Sequence, residues 1–224
     1  MTEKKTPVRK IHYLETDCYK DVLEYIIEGI EYSIKRTSED YENSPEGLMD
    51  IKILQEGIYG TALIAMQNYI DLTIANCYRA TYSHSSNISE LPKYAEKARK
   101  NDKACEKNNT YTEIIHALAN SYKHRNDLEV YCETLMHVHD SEDEQNIIDN
   151  IKTEVYRGCT QKTLNALELL STDRFAEIYP VTKGIEILDK DYNLKNIIKH
   201  LFDFWRPKMW DMVYESINKS RYKR

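Results

Sequence analysis

Residues that break helices are scarce in this chain, with 6 Gly and 5 Pro among 224. Long helices are therefore allowed nearly everywhere, and a turn-rich sandwich or barrel is disfavoured. Cysteine is sparse and scattered. Cys18, Cys77, Cys105, Cys132 and Cys159 are odd in number and never form a C-x-x-C pair, which argues against a disulfide framework or a structural zinc site. The sequence also lacks a long apolar run, because residues 62–74, the most apolar stretch, are interrupted by Gln67, Asn68 and Asp71. The first residues, MTEKKTPVRKIHYLETD, have no apolar signal-peptide core. The expectation is a reduced, soluble, cytoplasmic protein with no membrane partner.

Cation excess is lacking too, since 31 Lys and Arg face 37 Asp and Glu for a formal net charge of -6. A chain that coats nucleic acid nonspecifically would need the opposite balance. Local basic clusters occur at Lys93, Lys97, Arg99, Lys100, Lys103 and Lys107 and in the tail around Lys219 and Arg221, and they read as solvated helix faces. No Gly-rich phosphate loop, nucleophile elbow or nucleotide-binding fingerprint is present, which disfavours kinase, hydrolase and dehydrogenase classes. Phe and Trp number 3 and 2, but 18 Tyr supply aromatic bodies for core and interfaces.

The apolar periodicity is helical throughout. Residues 17–35 repeat Val22, Leu23, Ile26, Ile27, Ile30 and Ile34 at that spacing, and residues 50–82 predict one long helix with Gly57 and Gly60 marking a close contact or kink. A loop surrounds Pro45, another spans 83–89, and Pro92 opens a charged helix reaching toward Lys107. Helices are expected over 110–127 with Thr110 or Thr112 as cap, then 128–138, 160–170, 181–188 and from 194, with Pro207 kinking or dividing the last. No strand-like alternation of useful length is seen. The fold class is all-α: a bundle of four or five main helices with additional short C-terminal helices. We read a single domain over 1–224, its core at about 17–137 with a C-terminal helical segment at about 160–221 packed on it.

The segment TYTEIIHALANSYKHRND at 110–127 is the densest candidate site. At about 100° per residue, Glu113, His116, Asn120, Lys123, His124 and Asp127 fall in one arc, with Ile114, Ile115, Leu118 and Tyr122 opposite. An imidazole titrating near neutrality suits proton transfer, which makes His124 a candidate general base. It equally suits a structural role at a helix end, where positive charge meets the macrodipole favourably. No convincing metal set is visible. Glu113 and His116 lack enough companions, and His137, His139 and Asp140 lack a further ligand. Neither metal nor cofactor is expected. Trp205 and Trp210 read as core or interface.

The run Ala119-Asn-Ser-Tyr-Lys-His-Arg125 resembles the ANxxKHR segment of uncharacterised bacterial proteins in the HEPN (higher eukaryotes and prokaryotes nucleotide-binding) superfamily, and the stretches at 160–170, Tyr179-Pro180, Leu188 and Trp205-Arg206 look like their C-terminal part. The resemblance implies a helical bundle, a homodimer whose motif helices meet at a cleft, and metal-independent endoribonuclease activity of a toxin or phage-defence type. It also implies RNA as substrate, and an antitoxin or defence-system protein as partner. Aligned with that motif, His124 takes the place of its His and Asn120 of its polar residue, and Lys123 on the same seam is a cation that compensates; these three are the catalytic candidates, with Arg125, His116 and Arg206 in support. Ala119 stands where that motif has its Arg. The alternative is a non-catalytic helical dimer that binds a protein or RNA partner, its site degenerate at Ala119. Arg79 and His84 also give an R-x4-H spacing, of a kind expected by chance in a chain with seven His.

Overall fold

The computed structural model describes residues 17–41, 48–82, 88–124, 159–169 and 179–221. It is an all-α bundle apart from one small two-stranded sheet. Its spine is α2, Leu48–Tyr82, which at about 1.5 Å per residue is roughly 50 Å long. Helix α1, Lys20–Tyr41, buries Leu23, Ile27 and Ile30 against it. Helix α3, Leu91–Lys100, follows a single 3-10 turn at Ile88–Glu90 and carries Pro92 in its first turn, where the missing N–H costs no helical bond.

The charged helix expected to run to Lys107 stops at Lys100. Strands β1, Ala104–Glu106, and β2, Asn109–Thr110, then pair antiparallel around Lys107 and Asn108, both with positive φ. Two consecutive left-handed residues are what a tight hairpin turn requires. Strands of three and two residues are too short for alternation to reveal them.

Helix α4, Tyr111–Lys123, follows at once. Thr110 accepts from the Glu113 N–H at 3.2 Å, while the Glu113 carboxylate accepts from the Thr110 N–H at 3.0 Å. This reciprocal capping box fixes where the helix starts. It also removes Glu113 from the polar arc, and the helix ends at Lys123 rather than near Asp127. Helix α4 is central, packed by α2, by α5 (Cys159–Ala166) and by α6 (Pro180–Leu188).

Helix α6 is held by a distant carboxylate. Glu56 on α2 accepts from the N–H groups of Val181 at 2.7 Å and Thr182 at 2.8 Å, satisfying orphan donors at the positive end of the helix. Helix α7, Leu194–His200, is capped by Asn193 and runs through a π-helical turn at Leu201–Trp205 into α8, Arg206–Arg221. Pro207 does not divide this helix. The widened turn just before it, in which Arg206 N–H reaches back to the Leu201 carbonyl, relieves the clash that a proline ring makes with the preceding turn. Trp205 is fully buried and donates its indole N–H to the Ala98 carbonyl at 3.2 Å. Among the described residues no helix is long and apolar enough to cross a membrane.

Gly60 is the close contact that its position inside α2 suggests. A Cβ there would lie 2.3 Å from the Tyr122 ring of α4, so only glycine lets the two helices approach this far. Gly60→Ala should therefore destabilise the fold by about 1–3 kcal/mol, the overpacking outweighing the gain in helix propensity. Urea unfolding followed by circular dichroism checks this, and a variant as stable as the parent would contradict the close crossing.

Candidate functional site

Where α2 crosses α4, the polar interruption of the apolar run faces the polar side of α4. Gln67 is only 2% exposed. Its amide nitrogen lies 2.9 Å from His116 Nδ1 and donates to Asn120 Oδ1 at 2.9 Å, while its oxygen accepts a short hydrogen bond from Lys123 Nζ. Asn120 Nδ2 sits 3.1 Å from His116 Nε2 and donates to Thr160 Oγ1 of α5 at 3.3 Å. Three helices therefore meet through one network of side chains.

The orientation of each amide follows from its neighbours. The Lys123 ammonium must face an oxygen, which turns the Gln67 NH2 toward His116 and Asn120, and that in turn places the Asn120 NH2 toward Thr160 and the imidazole. Both ring nitrogens of His116 thus face donors. A neutral ring can accept at one of them, whereas an imidazolium would meet repulsion at both. Burial foremost, then the charges of Arg99 and Lys123, lower its pKa to about 4. His116 is a neutral structural hub.

Arg99 is the second cation of this region. It is 8% exposed, its guanidinium 4.0 Å from Asp71 on α2, while its main-chain carbonyl accepts from the hydroxyls of Thr110 and Thr112 at 2.9 Å each. Partial burial raises the Asp71 carboxyl, and Arg99 and Lys123 pull it the other way. Read from the sequence, Arg99 sits in a basic cluster on a solvated face; the structure buries it behind α4. Gln67, Asp71, Arg99 and Thr160 were not among the candidate residues. For the first two the signal was there, since they are the polar residues four apart that break the apolar stretch.

The candidates divide into two groups. His116, Asn120 and Lys123 are brought together, with Lys123 also exposed toward solvent. His124 is the C-cap of α4, exposed, its N–H bonded to the Asn120 carbonyl at 3.1 Å. Lys123 and His124 therefore form an exposed basic pair at the end of the helix. Ala119 is fully buried, so the position that carries Arg in the resembled motif points into the core. Arg206 is engaged elsewhere, with Asp17 at 3.0 Å and over the Trp210 ring. Arg125, Asp127, His84, His137, His139 and Asp140 lie outside the described residues, as does the expected helix at 128–138. Among the described residues no group of three or more His, Cys, Asp or Glu is arranged to hold a metal.

A second buried node stabilises the same end of the fold. The Asp102 carboxylate, with no exposed side-chain surface, accepts from the Lys103 and Thr112 N–H groups and pairs with His200 Nε2 at 2.7 Å, and Tyr111 stacks on His200 at 4.1 Å. It ties the hairpin, α4 and α7 together. Both oxygens of Asp102 are hydrogen-bonded, which fits a structural role.

The lowered pKa of His116 has a signed consequence for stability. Above about pH 6.5 the ring is neutral folded and unfolded, and it contributes no pH dependence; between about 6.5 and 4 the unfolded chain binds a proton that the native state refuses. Stability should then fall by at most about 3 kcal/mol as pH drops through that window, with no further loss from this group below it. Urea midpoints for the parent and His116→Gln across the window check this, since the difference between them should narrow as pH falls. A constant difference would place the imidazole in a solvated setting.

No family model, curated protein or solved structure matches this chain.

Proposed function

We propose that this chain is an HEPN-like helical protein that acts on RNA as a metal-independent endoribonuclease of a toxin or phage-defence type. The observation that carries the reading is the exposed Lys123 and His124 pair at the end of α4, held by a network that ties Lys123 to Gln67 and Asn120 to Thr160. His124 is the general base for the ribose 2'-hydroxyl, being exposed where His116 is held neutral by its surroundings. Lys123 is the cation for the scissile phosphate, taking the place that Ala119 leaves vacant in the motif. Asn120, its amide occupied by Gln67, His116 and Thr160, acts as a positioning residue. A homodimer and an antitoxin or defence-system partner belong to the same reading.

The burial of Ala119 favours a second reading, a non-catalytic helical dimer that binds a protein or RNA partner. Cleavage of RNA in a chelator-containing buffer separates the two. On the catalytic reading His124→Ala abolishes cleavage, Lys123→Ala lowers it at least about tenfold, and His116→Gln retains it, all with unchanged circular dichroism. If the three variants and the parent give the same rate, or none above buffer, the catalytic reading fails and the binding reading stands.

A further inference from the structure

Helix α1 has two apolar faces, and among the described residues only one of them is covered. Leu23, Ile27 and Ile30 are buried against the bundle. On the other side Tyr19, Val22, Tyr25, Ile26 and Tyr32 are 43%, 52%, 72%, 42% and 69% exposed. With Gly29 they fill an arc about 140° wide on the helical wheel. Charge is kept off this arc until Arg36 at its far end: Lys20 with Glu24 and Glu31 with Lys195 form pairs on the other sides of the helix. The hydroxyls of Ser33 and Thr37 turn back to the carbonyls of Gly29 and Ser33, so they too present little for a polar partner.

Gly29 supplies an independent observation. Glycine is the poorest residue inside a helix short of proline, and it is kept where something must come close. Gly60 lies under Tyr122 and Gly184 under Leu118, but a Cβ at Gly29 would meet nothing within 4 Å. Among the described residues nothing requires that notch. A second helix laid across α1 would.

We propose that this face of α1 is a self-association surface on which two copies of the chain pack about a two-fold axis near Gly29. The occupant is a second copy because an isologous contact puts each patch against itself, and a patch almost free of charge meets itself without repulsion. The five exposed side chains offer on the order of 500 Å² of apolar surface per protomer, at the upper end of what a monomer leaves open. With its polar rim the patch approaches the roughly 800 Å² per partner of a stable interface. Two tyrosines flank the notch, so each helix can seat its rings on either side of the other's glycine. This places the dimer contact on α1 rather than on the enclosed α4, and it does not rest on the RNA reading.

Sedimentation equilibrium of the full chain at micromolar concentration tests the proposal without reference to cleavage. The parent should sediment as a dimer. Gly29→Leu, harmless inside one chain by the space around it, and Tyr25→Lys should each raise the dissociation constant at least about tenfold while circular dichroism stays unchanged. In a Cys18→Ser background, Gly29→Cys should cross-link into a covalent dimer under mild oxidation, and Lys208→Cys should not. A monomeric parent overturns the proposal, as do variants that associate like the parent. A higher-order assembly indifferent to Gly29 would place the contact on another face and overturn it equally.

Discussion

Burial of the Gln67 amide is the constraint on which the crossing of α2 and α4 depends. A primary amide at that depth brings two donors and an acceptor into an apolar layer, and each one left without a partner costs about 1–3 kcal/mol. The groups that satisfy it all come from α4: Lys123 for the oxygen, Asn120 and His116 for the nitrogen. Their spacing along α4 is therefore dictated by one side chain on α2. Gly60 and Tyr122 set how closely the two helices approach, and the network sets their register. Through Asn120 the same demand reaches Thr160 and places α5.

This arrangement separates two histidines that look interchangeable in sequence. His116 and His124 lie about 80° apart on a helical wheel, close enough to share a face. The structure puts His116 among donors and beside two cations, where its proton affinity is lowered, and leaves His124 exposed at the negative end of the helix. The buried ring organises and the exposed ring is accessible to chemistry. Lys123 belongs to both settings, anchored inward by Gln67 and open outward.

The helices were legible because their apolar spacing is helical: Leu23, Ile27 and Ile30 in α1, Ala62, Met66 and Tyr69 in α2. The cap was legible only as Thr110 or Thr112, and in the structure it is Thr110, paired with Glu113 three residues on. What the periodicity could not show was long-range. Arg99 reads as one cation in a charged helix, and only the turn of β1 and β2 carries α4 back across it. Glu113 falls on the polar arc by angle, yet its carboxylate is consumed by the helix start. The continuity of the helix past Pro207 escaped because a π turn leaves no signature in residue type. Thr160 is one hydroxyl in a short helix, made relevant only by docking on Asn120. The face of α1 was visible as periodicity, but that Val22 and Ile26 point outward needed the bundle.

The most direct measurement is a double-mutant cycle between Gln67 and Asn120, built from Gln67→Ala, Asn120→Ala and the pair, with stability read by urea unfolding. If the buried amide sets the crossing, each single change strands a partner, and the double variant should be more stable than the sum of the two losses by at least about 1 kcal/mol. Losses that add within experimental error would mean that Gln67 and Asn120 are neighbours without mutual dependence, and would contradict the place given to the Gln67 amide at the centre of this structure.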